Sequence, residues 1–133
     1  MILFDTSAVV DFLRGGKETR TIVESAEAVD SRIAITTVSL FELLSPIEHR
    51  RLRREERAVR TFAQQSLILG LDFNAAAEAA KIMGGLLRLG TPINALDVLI
   101  SGIAIANGAE KLVTADRDFD QVGRIAEIEI NFI

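Results

Sequence analysis

Four acidic residues stand at equivalent places along this chain. Asp5 directly follows the apolar run Ile2–Phe4. Glu42 comes three residues after Ser39 and Asp97 three after Asn94, each in the first turn of an expected helix. Asp116 sits two residues beyond the expected strand Lys111–Thr114. In an open parallel sheet, strand carboxyl ends and the helix starts that follow them share one edge, where ligands bind. Acids separated by up to 111 residues can therefore converge. Converging carboxylates raise one another's pKa values and destabilise the fold unless positive charge sits among them. Oxygen donors without cysteine, in a chain with one histidine, select Mg²⁺ or Mn²⁺ over zinc or copper. Such an ion binds phosphates, lowers the pKa of water and neutralises a leaving oxygen, so phosphodiester hydrolysis suits this donor set best. Each acid also has a local reading. Ser39-x-x-Glu42 is a capping-box pattern, Asn94-x-x-Asp97 is close to one, and an Asp after a strand is a common turn residue. The functional case rests on the joint placement.

Positioning these acids requires strands that alternate with helices. Ile2–Phe4 reads as a buried strand, Thr6–Arg14 as a helix stopped by Gly15-Gly16, and Glu18–Val29 as a second helix with Ile22, Val23 and Ala26 inward. Ile33–Thr36 is a strand. Ser39 opens a helix that Pro46 should break or kink, and Arg50–Gln65 is helical again with Val59, Phe62 and Ala63 on its core side. Leu67–Leu71 reads as a strand or a buried connection. Asp72 caps a long helix in which Phe73, Ala76, Ala80, Met83 and Leu87 recur with helical period, ended by Gly90. A helix over Ala95–Asn107, a strand over Lys111–Thr114, a helical turn over Asp118–Val122 and a last strand over Ala126–Ile130 complete the chain. Alternation with apolar strands predicts an α/β fold with a mostly parallel sheet covered on both faces.

Composition sets the limits. With 133 residues the chain suits one domain, residues 1–133, that buries about two-thirds of its unfolded surface. Hydrophobic residues at 49% exclude a disordered chain. The absence of cysteine excludes disulfides and a thiol nucleophile. No apolar run reaches the length of a membrane span and the amino terminus is unlike a signal peptide, so a soluble, reducing compartment is expected. The net charge of −4 argues against a whole-molecule grip on nucleic acid, yet it is segregated: residues 50–60 carry six Arg against two Glu.

Leu3-Phe4-Asp5-Thr6-Ser7, Ser39-x-x-Glu42, Pro92-Ile93-x-x-x-Asp97-x-x-Ile100 and Leu112-Val113-Thr114-x-Asp116-x-Asp118-Phe119 together resemble the PIN-domain family, in particular its VapC-type toxins. The resemblance covers essentially the whole chain. It implies a three-layer sandwich with a central, mostly parallel sheet of four to five strands, and a Mg²⁺- or Mn²⁺-dependent endoribonuclease. Asp5, Glu42, Asp97 and Asp116 match the family's acidic quartet, with Asp5 and Asp97 as the main metal ligands. Thr6 and Thr114 match positions of a supporting hydroxyl, and Asp118 that of an accessory acid or a helix cap. The resemblance further implies an RNA substrate, a cognate VapB-like antitoxin, operator DNA bound only through the antitoxin complex, a homodimer, and a prokaryotic cytoplasmic location.

Other features have two readings each. Arg50, Arg53, Arg54 and Arg57 share a helical face that either binds RNA or a partner, or is simply solvated. Leu40, Phe41, Leu44 and Ile47 either pack the core or form part of a groove for an antitoxin helix. His49 reads as a surface residue and Asp11 as helix surface or a cap. Ser7, rather than an acid, two residues after Asp5 argues against a haloacid-dehalogenase-like phosphatase, and no phosphate-binding Gly-rich loop is present. The competing class is a PIN-like binding module that holds a protein or RNA partner with little or no cleavage.

Overall fold

The computed structural model describes every residue from Met1 to Ile133. The elements run β1 (Ile2–Phe4), α1 (Thr6–Leu13), α2 (Lys17–Ala28), β2 (Ile33–Thr36), α3 (Thr37–Arg50), α4 (Arg53–Gln64), β3 (Leu67–Leu69), α5 (Phe73–Leu89), α6 (Ala95–Ala106), β4 (Lys111–Thr114), α7 (Phe119–Ile125) and β5 (Glu129–Phe132). The five strands form one sheet in the order β3-β2-β1-β4-β5, and every adjacent pair is parallel. Ile2 sits opposite both Ile33 and Lys111, so β1 is central and its carboxyl end lies between those of β2 and β4.

Side chains alternate across a strand, and β1 uses this to seed two cores. Ile2 and Phe4 point into a cluster with Val9 of α1, Ala26 of α2, Leu43 of α3 and Phe62 of α4. Leu3 points the other way, into a cluster with Leu86 of α5, Ile100 of α6 and Phe119 of α7. Helices α1–α4 thus cover one face and α5–α7 the other, the α/β sandwich expected from the strand–helix alternation. The α5–α6 contact is very close: a Cβ on Gly102 would lie 2.6 Å from the Ala75 carbonyl oxygen and from Ala79. No helix is long and apolar enough to cross a membrane.

Several local expectations are corrected. Pro46 does not break α3; it lies inside one continuous helix. Pro46 is exposed, and Leu43 and Ile47 on either side of it in sequence hold the helix to the core, so packing carries the helix across the lost backbone bond. That helix begins earlier than Ser39, because the Thr36 hydroxyl accepts from the Ser39 N–H at 2.9 Å. The stretch Arg50–Gln65 is not one helix: Arg51 adopts the left-handed conformation (φ 54°), ending α3, and α4 starts at Arg53. In α5 the period is as expected but the phase is not. Ala75, Ala79, Ile82 and Leu86 face inward, whereas Phe73 is 87% exposed and Leu87 59%. The final strand is Glu129–Phe132, three residues later at its start than expected.

Candidate metal centre

The edge formed by the carboxyl ends of β1, β2 and β4 gathers the four acids. Asp5 is the last residue before α1 and its amino-terminal cap, so its backbone is fixed by the strand on one side and the helix on the other. It is only 3% exposed. Both carboxylate oxygens are held: Oδ1 accepts from the Ala8 N–H at 2.8 Å and the Ser7 hydroxyl at 2.7 Å, and Oδ2 accepts from the Thr114 hydroxyl at 2.6 Å. Burial pushes the Asp5 pKa up, the hydrogen bonds pull against that shift, and the charge of Asp116 adds to it.

Threonine and serine hydroxyls tie the remaining acids to this anchor. Thr6 donates to Glu42 Oε1 at 2.7 Å and lies 3.1 Å from the Ser39 hydroxyl, which joins the start of α1 to the first turns of α3. With Thr36 as the cap, Glu42 is not the partner of a capping box; its hydrogen bond goes across to α1. Thr114 Oγ1 accepts from the Asp116 N–H at 2.9 Å, and Asp116 Oδ1 accepts from the Asp118 N–H at the same distance. Asp118 opens α7 without a side-chain capping bond, and its charge is among those felt by Asp97. Ser7, which the sequence reading passed over except to reject a phosphatase, accepts from the Ala115 N–H at 2.9 Å while donating to Asp5. The only sequence signal for it is its place in Asp-Thr-Ser after a strand.

Asp97 is the electrostatic centre. It lies in the first turn of α6, but Asn94 caps that helix through the Leu96 N–H, so Asp97 completes no capping box. Its pKa is pushed up to about 7, first by partial burial and then by the charges of Asp116, Glu42, Asp5 and Asp118. No protein hydrogen bond offsets this. Nor does any cation: the four ion pairs of the molecule join Met1 to Glu110, Arg60 to Glu56, Lys81 to Glu78 and Arg124 to Asp120. The donor set is all oxygen, and it is an open arrangement. No three acids are drawn tightly enough together to make a closed metal cage. Mg²⁺ tolerates this, since it keeps several of its waters and takes one or two carboxylates plus substrate phosphates. The residues therefore fit a hard divalent cation, and fit zinc or copper poorly.

The arginines do not join the acids. Arg50 ends α3, whereas Arg53, Arg54 and Arg57 belong to α4; all are exposed. Arg50 lies eight residues beyond Glu42, about 12 Å along the axis of α3, and no arginine is among the charges that set the Asp97 pKa. Beside them, α3, α4 and β3 form a cleft of about 240 Å³ lined by Leu40, Leu44, Val59, Ala63 and Ile68. Ile47 is core, and Phe41 is 62% exposed on the outer side of α3. His49 is exposed as expected. Asp11 is not mere surface: it accepts from the buried Thr19 hydroxyl at 2.8 Å and closes the α1–α2 turn.

Comparison with known proteins gives the family and the fold. The family model described as PIN domain matches residues 2–125. Ribonuclease VapC11 of Mycobacterium tuberculosis is 33% identical across 97% of this chain and 96% of its own length. Among solved structures, VapBC2 of Rickettsia felis, bound to a promoter DNA fragment, superposes with a TM-score of 0.87 at 21% identity, covering 100% of this chain and 99% of that one. DNA-bound VapBC of Salmonella typhimurium gives 0.80 at 27% identity, covering 98% and 96%.

Proposed function

Because the chain belongs to the PIN-domain family, we propose that it is a Mg²⁺- or Mn²⁺-dependent endoribonuclease, the toxin half of a VapBC-type toxin–antitoxin pair. One observation carries this reading: four carboxylates from distant parts of the sequence act on one another at a single sheet edge with no basic side chain among them. Structural acids are paired or dispersed; acids left to repel one another call for a cation.

Asp5 and Asp97 would hold the ion directly, with Glu42 and Asp116 completing its surroundings directly or through water. When bound, the cation lowers the pKa of water and neutralises charge on the scissile phosphate. The chain's own part is to fix the donors. Ser7, Thr114 and the Ala8 N–H lock the Asp5 carboxylate in one orientation, and Thr6 does the same for Glu42. Asp97, with its midpoint at about 7, changes charge near neutrality, so it would hold a cation as the deprotonated carboxylate. The hydroxyls at this edge, Thr6, Ser7 and Thr114, are engaged in holding the carboxylates, so water would be the attacking group, with no covalent enzyme intermediate. Family resemblance puts a 5′-phosphate and a 3′-hydroxyl on the products.

The named relatives also support the partners. VapBC-5 of Mycobacterium tuberculosis is described as a member of a family of toxin–antitoxin systems, and two other VapBC structures are bound to DNA. Here the aliphatic cleft between α3, α4 and β3 suits the apolar side of an antitoxin segment, and operator DNA would be reached through that complex. Incubation of the purified chain with RNA and Mn²⁺ tests the reading. Internal cleavage that requires the metal and is lost in Asp97→Asn and Asp5→Asn supports it. Tight RNA or antitoxin binding with no metal-dependent cleavage refutes it in favour of a binding module.

A further inference from the structure

We propose that Arg117, held over the ring of Phe132, grips a backbone phosphate of the RNA next to the one that is cut; the choice of ligand rests on the nuclease reading above. Arg117 is the single basic residue in the four stretches that carry the acids, Leu3–Ser7, Ser39–Glu42, Pro92–Ile100 and Leu112–Phe119. It stands between Asp116 and Asp118 in sequence, yet it enters none of the ion pairs of the molecule. Both neighbouring acids act on Asp97, and Arg117 does not. The loop holds it in this place. Asp116 Oδ1 accepts from the Asp118 N–H at 2.9 Å, and the Arg117 carbonyl accepts from the Asp120 N–H at 3.0 Å.

The exposed side chain goes to an aromatic ring instead. Its guanidinium carbon lies 4.5 Å from the centroid of Phe132, well inside cation–π range. Phe132 ends β5 and is paired in register with Thr114, whose hydroxyl holds Asp5. Neighbouring strands lie about 4.8 Å apart, so the Arg117–Phe132 pair occupies the same sheet edge, one strand out from the metal centre. An RNA whose reacting phosphate sits among the acids, and whose backbone follows the edge outward past β4, meets β5 next. Arginine offers a planar fork of N–H donors that matches two phosphate oxygens. The ring fixes the long side chain before the ligand arrives, which lowers the entropy lost on binding. Anchoring β5 needs no such charge: its pairing with β4 and the bond from the Ile133 N–H to the Thr114 carbonyl at 3.0 Å already do that. Arg53, Arg54 and Arg57 belong to α4, which borders β3 at the opposite end of the strand order. The acids therefore have basic side chains on both flanks.

Labelled single-stranded RNA, titrated by fluorescence anisotropy in metal-free buffer across a salt series, tests the contact. Arg117→Ala should raise Kd about tenfold and flatten the log–log salt slope by about 0.7, the loss of one phosphate contact. Arg117→Lys should keep the slope and recover part of the affinity. Phe132→Leu should weaken binding about threefold, and should add nothing once Arg117→Ala is present. Arg124→Ala, which removes an exposed arginine already paired with Asp120, should leave Kd and slope unchanged. With Mn²⁺, Arg117→Ala should raise the half-saturating concentration for single-turnover cleavage and keep the maximal rate within about twofold. Its metal-dependent rise in Tm should match that of the wild type. Arg117→Ala indistinguishable from Arg124→Ala, or Phe132→Leu equally costly with and without Arg117, overturns the proposal. So does a fall in maximal rate alone, which would put Arg117 on the reacting phosphate. A wild type that cuts RNA while these variants bind it unchanged refutes this contact only; a wild type that cuts no RNA refutes the nuclease reading itself.

Discussion

Asp97→Asn should make the metal-free protein more stable, and only above a certain pH. The folded-state pKa of Asp97 is about 7; in the unfolded chain an Asp titrates near ~3.9. Between those values the folded protein keeps a proton that the unfolded chain has released. Stability therefore falls as pH rises from about 4 to about 7 and is level above that, since the state binding more protons loses ground as protons become scarce. The separation corresponds to about 4 kcal/mol for a fully buried group. Asp97 is only partly buried, and solvent screening cuts this to roughly 2 kcal/mol. For a domain of this size that is about 7 °C in Tm. Asparagine removes the charge and with it the penalty. The variant should melt about 7 °C above wild type at pH 8 and within a degree or so at pH 4. Mg²⁺ or Mn²⁺ reverses the order. At about 100 times Kd, the ion adds about 2.7 kcal/mol to the wild type, and the variant should gain little. Calorimetric melts at pH 4 and pH 8, with and without metal, read all of this. A variant no more stable than wild type at pH 8 without metal would refute the repulsion on which the cation site is argued.

Three further outcomes follow from other contacts. Thr114→Val removes a donor from buried Asp5 and an acceptor from the Asp116 N–H, so denaturant unfolding should show a loss of about 2–3 kcal/mol and metal affinity should fall. Gly102→Ala forces α5 and α6 apart at a 2.6 Å approach and should cost about 1–3 kcal/mol, read by the same unfolding curve with no change in its slope. Replacing Arg50, Arg53, Arg54 and Arg57 by Gln should weaken RNA binding and flatten its salt dependence, by about 0.7 in log–log slope per lost phosphate contact, while leaving the metal-dependent rise in Tm intact. An unchanged salt titration would remove these arginines from the RNA path.

The residues show why some of this was legible beforehand. Strands Ile2–Phe4, Ile33–Thr36 and Lys111–Thr114 are each built on two or three consecutive apolar residues, and they form as read. Asp5, Glu42 and Asp116 convene because strand ends in a parallel sheet share an edge, whereas Asp97 comes from the start of α6, which follows α5 rather than a strand. Helix starts were less clear: Thr36, Thr37 and Ser39 can all cap, and only the Thr36 hydroxyl bonded to the Ser39 N–H decides among them. The arginine run keeps helical spacing straight through Arg51, so its pattern hides the left-handed turn that divides it between two helices. The phase of α5 was illegible for a related reason. Two sets of apolar residues recur at helical spacing along it, and the set that packs includes Ala75 and Ala79, which lie against Gly102 of another helix. Ser7 bonds to Ala115, 108 positions away, and no local pattern announces such a partner.

Anomalous diffraction from crystals grown with Mn²⁺ at pH 8 would locate the cation itself. A peak at the sheet edge within bonding distance of the Asp5 and Asp97 carboxylates, with Glu42 and Asp116 reached directly or through water, is expected. A well-ordered edge with no manganese, in crystals where Asp97 is ionised, would contradict the metal centre and the hydrolytic function built on it.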